Sequence, residues 1–426
     1  MIDRSTAPKI QALENFQLQT PRKETLQNGI PVFFIDNEHL DLIHILIRLK
    51  TGILHEDIKH IATFTYGLLK ESAPKHNANE MADLFDFYGT HYTCSVSLDN
   101  TTLTISVPRS NISKILPEIY EFLATPCFRE ENLSIYKNLK IKDLEYNAQK
   151  TDVQSTRLML HAMFGDAHTA GQFSTRENIQ AVSIAQMLDF HRKTFCAENI
   201  RIFVTGNVDD QVHQSICDTF GQVPHGVAAA DLHDLRLPAD PSPIIAQEMP
   251  NSVQSSITIC QSLMGYTHED RCDFSILSTI TGGYFGSRLM QNLREKNGYT
   301  YGISCGSSYF GNQSLFLISS DVNIQHTQAA IDACFEELHR LQTEPIPEEE
   351  LSTAKNYILG DQIRDLDNSV SYLKRYVFWD KFNTDENEFY RIIDRVKNID
   401  AERIQNLAKK YFAYNKFTQI IVGRKL

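Results

Sequence analysis

The sequence has no run of about 18 apolar residues, so nothing in it reads as a membrane-spanning helix. Its first residues, MIDRSTAPKIQALENF, lack a basic stretch followed by an apolar one, so no secretory signal is visible and a cytoplasmic location is expected. Lysine and arginine never cluster, and 41 basic against 53 acidic residues leave a formal charge of −12, so a nucleic-acid partner is not expected. The eight cysteines (94, 127, 196, 217, 260, 272, 305 and 334) form no C-x-x-C pair, and free, buried thiols in a reducing compartment are the plain expectation. Gly282, Gly283 and Gly286 belong to no G-x-G-x-x-G or G-K-[ST] pattern. They point to a tight turn or a close backbone approach rather than to a phosphate loop.

What is present is a globular balance of 42% apolar and 22% charged residues. At 426 residues the chain exceeds the usual size of one core, so two domains are expected. An internal repeat supports this. VSIAQMLDFHRKTFCAENIRIFVTG (182–206) and IDAERIQNLAKKYFAYNKFTQIIVG (399–423) each read as an amphipathic helix, an aromatic turn and a β-branched strand ending in glycine, at an offset of 217. FREENL (128–133) and IPEEEL (346–351) echo each other at 218, and their glutamates suit the first turn of a helix. The join falls near 221–243, where Pro224, Pro238, Pro241 and Pro243 break regular structure. The expected organisation is an N-terminal half 1–222, a linker 223–243 and a C-terminal half 244–426.

Strands are expected at 30–36, 42–50, 101–108, 257–263, 314–322 and 417–423, and helices at 61–72, 78–89, 112–125, 287–296 and 327–342. Strands alternating with helix pairs predict an α+β fold of two similar layered halves.

HEDIKH (55–60) has the look of a zinc motif but the wrong spacing. His55 and His60 are five residues apart, which places them about 140° from each other on a helix, whereas two ligands on one face need four. A polar loop leading into a helix is the expectation there. His161 and His168, seven apart around Gly165, receive the same reading.

The order of features nevertheless resembles a known family. Gly52 and Glu56 lead into a helix followed by KESAPKHNANE (70–80), which is similar to the start of the pitrilysin/insulinase zinc peptidases. That family carries H-x-x-E-H on this helix. Aligned on Lys70, its two histidines fall at Ala62 and Tyr66 and its glutamate base at Thr65. A methyl group cannot ligate zinc and a threonine hydroxyl is no base near neutral pH. The family's distal glutamate ligand falls near Glu145, for which an exposed helix glutamate is the preferred reading.

The second half resembles the family more closely. TGGYFGSRLMQNLREKNGYTYGIS (281–304) is similar to its glycine-rich turn, S-R-L helix, L-R-E-K and G-x-x-Y strand. The resemblance implies that Arg294 and Tyr301 bind substrate at the scissile peptide, where both can donate to a developing oxyanion. Both also have plain explanations. Arg294 and Lys296 suit the last turn of a helix that buries Leu289 and Leu293 and stops at Gly298. Tyr299, Tyr301 and Ile303 alternate on a strand, so Tyr301 can be packing.

Taken together, the resemblance implies a catalytically incomplete subunit of a zinc endopeptidase, inactive alone. It binds no metal itself and supplies Arg294 and Tyr301, while zinc resides in an H-x-x-E-H-bearing partner or a second copy closes the dimer. The substrate is an unfolded peptide. A non-enzymatic structural or peptide-binding core subunit, homodimeric, is the other expectation.

Overall fold

The computed structural model describes residues 17–230, 232, 244–311, 313–364 and 366–423. Its strands form two sheets. The first contains β1 (Arg22–Thr25), β2 (Pro31–Asp36), β3 (Leu42–Leu49), β4 (His91–Val96), β5 (Thr101–Pro108) and β6 (Ile200–Gly206), in the order β1-β2-β6-β3-β5-β4. The second contains β7 (Ile244–Glu248), β8 (Gln254–Met264), β9 (Thr300–Phe310), β10 (Gln313–Asn323) and β11 (Thr418–Gly423), in the order β7-β11-β8-β10-β9. Removing β1 leaves two sheets of one topology. β2 and β7 pair in parallel with β6 and β11, and every other neighbour is antiparallel.

The helices repeat as well. The first half carries α1 (Ile61–Gly67), α2 (Ala78–Phe87), α3 (Ile112–Ala124), α4 (Glu130–Asn147), α5 (Thr151–Phe164), α6 (Arg176–Ala181), α7 (Ile184–Thr194) and α8 (Asp210–Phe220). The second carries α9 (Arg271–Ser278), α10 (Thr327–Thr343), α11 (Glu348–Arg364), α12 (Ser369–Lys381), α13 (Asn387–Asn398) and α14 (Ala401–Tyr411). From α4 to α11 the starts differ by 348 − 130 = 218, and from α5 to α12 by 369 − 151 = 218. Ser183 and Asp400 cap α7 and α14 at nearly the same offset, 400 − 183 = 217, each accepting a backbone N–H three residues on.

The halves exchange a helix. α5 lies on β8 and β11 of the second sheet, where Met159 and Met163 pack with Cys260, Ile420 and Val422. α12 lies on the first sheet, where Tyr372, Tyr376 and Trp379 pack with Phe33, Leu46 and Phe203. Each half also has its own core on the opposite sheet face. Central strands are therefore covered on both sides, which is why PVFFID and TQIIVG read as continuous apolar runs. The edge strand β4 alternates exposed and half-buried residues instead.

A charge cluster fixes α12. Arg48 of β3 and Arg201 of β6 face each other across the strand pair. Asp380 accepts from both, at 2.6 and 2.7 Å, with Arg48 and Asp380 buried. Lys381 reaches Asp99 at 2.7 Å beside them.

Two expectations need correction. The helix expected over 61–72 ends at Gly67 and gives way to a tight turn Leu69–Glu71; the glycine also lets α4 approach closely, since a Cβ there would lie 2.5 Å from the Tyr136 hydroxyl. Of the eight free cysteines, Cys196, Cys260 and Cys334 are buried, but Cys127 is exposed in the turn between α3 and α4. The expected linker is irregular over 223–230, with Pro224 accepting from the Ala197 N–H at 3.0 Å. Residues 231 and 233–243, with Pro238, Pro241 and Pro243, lie outside the described residues. Among the described residues no helix is long and apolar enough to cross a membrane.

Candidate functional site

Ala62, Thr65 and Tyr66 all lie on α1 and are wholly buried. Tyr66 donates to Thr194 Oγ1 at 2.6 Å, and Thr194 passes a bond on to the Phe190 carbonyl at 2.7 Å. Burial pushes the Tyr66 phenol above its usual range, so it stays neutral. The Thr65 hydroxyl is buried with no partner among the described residues. The α4 side of this helix is closed by Tyr136, whose ring meets Phe64 edge-on at 5.0 Å. These residues do not fit a zinc ion. Among the described residues no set of three His, Cys, Asp or Glu ligands converges on α1. Glu145 is exposed and pairs with Arg176, as an ordinary helix glutamate.

HEDIKH is less bland than its spacing indicates. Glu56 is buried and reaches forward to the start of α1, accepting the N–H groups of His60 at 3.2 Å and Ala62 at 2.9 Å. Burial pushes its carboxyl up to about 7, against the pull of those N–H groups and of Lys59. His60 is left-handed, at φ 74°, and burial beside Lys59 and Lys140 pushes its imidazole down to about 4. His161 lies 3.0 Å from the Gly171 carbonyl and stacks on Phe173, while His168 accepts the Ala170 N–H, so both are local structure.

In the second half the chain departs from regular geometry at each singled-out residue. The helix expected at 287–296 is wound wide over Met290–Lys296, with Asn297 N–H bonding back five residues to Asn292 O at 3.1 Å. Wide turns of this kind occur frequently at functional sites. Leu289 and Leu293 are buried, as their spacing predicts. Arg294 is half-exposed; its guanidinium sits 4.7 Å over the Phe285 ring and its Nε 3.6 Å from Glu295. Gly298, at φ +65°, ends the turn, and Tyr299 N–H bonds to Leu293 O at 2.9 Å. The strand β9 starts at once, so Arg294 and Tyr301 flank one tight connection.

Tyr301 is 91% exposed, which removes its packing explanation. Alternation fails because β9 bulges. Ile303 pairs with Ser320 and Thr300 with Val322, so Tyr301 and Gly302 together oppose Asp321 alone. Ile303 stays buried while Tyr301 stands out from the sheet. Thr300 Oγ1 pins the bulge, lying 2.7 Å from Asp321 O and 2.8 Å from Gly302 O and accepting from Ser320 Oγ at 2.9 Å. β9 is the outer strand of its sheet. Gly282 is where the close approach occurs: a Cβ there would lie 2.5 Å from Cys305 Cβ on β9. Sequence reasoning missed the bulge and the Phe285 platform. Phe285 is visible in GGYFGS, but nothing in the pattern pairs it with Arg294.

Comparison with known proteins agrees with this architecture. Residues 44–173 match Insulinase (Peptidase family M16), and residues 181–358 match the Peptidase M16 inactive domain. The uncharacterized zinc protease YmxG of Bacillus subtilis is 21% identical over 400 residues, covering 92% of this chain and 95% of that protein. An uncharacterized zinc protease of Rickettsia felis is 22% identical over 423 residues, covering 96% and 98%. Among solved structures, a peptidase M16 inactive domain from Pseudomonas fluorescens superposes with a TM-score of 0.86 at 20% identity, covering 95% of this chain and 98% of that one. A protease from Helicobacter pylori gives 0.83 at 18%, covering 95% and 100%. With its two sheets of one topology and both family domains in sequence, the chain belongs to the insulinase, or pitrilysin-type, M16 family of peptidases.

Proposed function

We propose that this chain is the subunit of a two-chain M16 endopeptidase that lacks the catalytic zinc. It presents Arg294 and Tyr301 to the scissile peptide, and a partner bearing H-x-x-E-H holds the ion. One observation carries this reading: α1 is filled with buried, non-ligating side chains, while Tyr301 is held 91% exposed by a pinned bulge on the outer strand that follows the wide turn carrying Arg294. A phenol and a guanidinium are donors only toward a carbonyl oxygen, so both stabilise the negative charge that grows there as the peptide is attacked. An unfolded peptide lies along an open sheet edge through backbone hydrogen bonds, which makes binding tolerant of sequence. The division at 223–243 fits the same reading, since every described strand of one sheet precedes it and every strand of the other follows.

The test mixes purified chain with an H-x-x-E-H-bearing family subunit and follows cleavage of an unstructured peptide. Activity is expected only in the mixture. Arg294→Ala and Tyr301→Phe are each expected to lower turnover by about 10²–10³ while the two chains still co-elute. Unchanged rates in both variants, or chelator-sensitive cleavage by this chain alone, would overturn the assignment.

A further inference from the structure

We propose that Glu24, His213 and Cys217 form a binding site for one zinc-class divalent ion, with water in the fourth position. His213 and Cys217 are four apart on α8, which puts both on one helix face toward β1. Glu24 reaches them from β1. One ligand atom from each residue lies within 4.8 Å of the others. Cys217 Sγ is 3.6 Å from His213 Nε2, and Glu24 Oε2 is 2.7 Å from the same nitrogen.

Tetrahedral zinc with bonds near 2.0 Å to nitrogen or oxygen and 2.3 Å to sulfur needs ligand atoms about 3.3–3.6 Å apart. The sulfur–nitrogen pair already has that spacing. The carboxylate has to retreat by roughly 0.6 Å as the ion replaces its hydrogen bond to His213. Thiolate, imidazole and carboxylate together suit zinc or cobalt and not magnesium or calcium, which want oxygen alone.

The surroundings orient the ligands. Arg22 pairs with Glu24 Oε1, which leaves Oε2 turned toward the histidine. The imidazole rests against Phe34 at 5.3 Å, and Arg22 covers the same ring at 4.5 Å. All three ligands are half-buried, so an ion can enter from solvent. As it binds, the Cys217 thiol gives its proton to solvent and its sulfur lone pair to the metal.

The place in the fold separates this site from α1. β1 is one edge of the first sheet and β4 the other, and α1 packs beside β4. An ion here ties the outer strand β1 to α8 and takes no part in peptide cleavage.

Untagged, metal-free chain titrated with Co²⁺ tests the inference. One equivalent is expected to raise a thiolate-to-cobalt charge-transfer band that Zn²⁺ then removes. Cys217→Ser is expected to lose the band, and His213→Ala to weaken Zn²⁺ binding about tenfold or more. Zn²⁺ is expected to raise the melting temperature of the wild type and not of Cys217→Ser. No band at one equivalent, or a band that survives Cys217→Ser, would overturn the site. No partner and no peptide enter this test. Because α1 offers no thiol, the band does not report on the subunit's role in cleavage, and its loss in Cys217→Ser ties it to Cys217.

Discussion

The carboxylate of Glu56 accepts the backbone N–H of Ala62 at 2.9 Å, so a buried acid supports the start of α1. Its carboxyl is pushed up to about 7, from an ordinary value of 4.5, chiefly by burial. The sign of the consequence follows. Between about 4.5 and 7 the unfolded chain releases this proton while the folded chain keeps it, so raising the pH through that window draws the equilibrium toward unfolding. The penalty is absent below the window and complete above it. Relative to Glu56→Gln, wild-type stability is expected to fall across the window by something on the order of 3 kcal/mol. Urea midpoints of both proteins at the two ends of the window measure this, and a constant difference would rule it out.

Asp380 is the only acid placed between Arg48 and Arg201 among the described ion pairs. Its neighbour Trp379 is the sole tryptophan of the chain and is fully buried. Asp380→Asn keeps the shape but leaves two directly opposed guanidinium groups with no paired acid, only Asp99 nearby, which Lys381 already engages. Breaking one member of a buried pair in this way costs about 3–5 kcal/mol. The unfolding midpoint is expected to drop accordingly. Tryptophan emission is expected to shift to the red as α12 loosens from the first sheet. Replacing Arg48 by Met in the same protein is expected to return part of the loss, because it removes one uncompensated charge.

Much of this was legible in the sequence because it rests on local pattern. The 217–218 offset appears in caps and strand ends, and the continuous apolar runs of β2 and β11 announce strands covered on both faces. That no histidine occurs between 61 and 75, so that H-x-x-E-H is absent there, needed only residue identity. What escaped was set by distant contacts. Only glycine fits at 67 because Tyr136, 69 residues later (136 − 67), occupies the space a Cβ would need. Simple alternation allows Tyr301 to pack on the face of Ile303, and the bulge that removes this reading depends on β10 and on hydroxyls of Thr300 and Ser320. The exchange of α5 and α12 between halves left no short-range signal, since each helix buries an apolar face whichever sheet it meets.

The metal helix is expected to resist restoration. Ala62→His, Thr65→Glu and Tyr66→His together rebuild the motif on paper. Yet all three positions are wholly buried, and the Tyr66 hydroxyl is tied to Thr194. The new groups would have to lose their hydration against Tyr136 and the core with no ion path prepared. Ala62→His and Thr65→Glu force larger side chains into a filled core, about 1–3 kcal/mol each, and a buried unpaired carboxylate adds to that. The triple variant is therefore expected to unfold at markedly lower temperature and to gain no chelator-sensitive cleavage. Thermal melts and peptide assays with and without chelator check both halves of the expectation. A stable, zinc-loaded variant would show that α1 is more adaptable than its packing indicates.

The bulge at Tyr301 can be loosened without touching the tyrosine. Thr300→Val keeps the branched shape and removes the oxygen that lies within 2.8 Å of both Asp321 O and Gly302 O. Ser320 Oγ loses an acceptor, and Gly302 N–H loses its 3.1 Å contact. Global stability is expected to drop by only about 1–2 kcal/mol, the cost of a few unmade hydrogen bonds at a strand edge. Turnover with a zinc-bearing partner is expected to fall about tenfold through kcat rather than KM, because the substrate still binds while the phenol is no longer held where charge develops. The double variant Thr300→Val, Tyr301→Phe separates cause from coincidence. If the hydroxyls act by positioning Tyr301, the double variant is no slower than Tyr301→Phe alone. Losses that multiply would mean that bulge and tyrosine serve the reaction independently, and the positioning argument would fail.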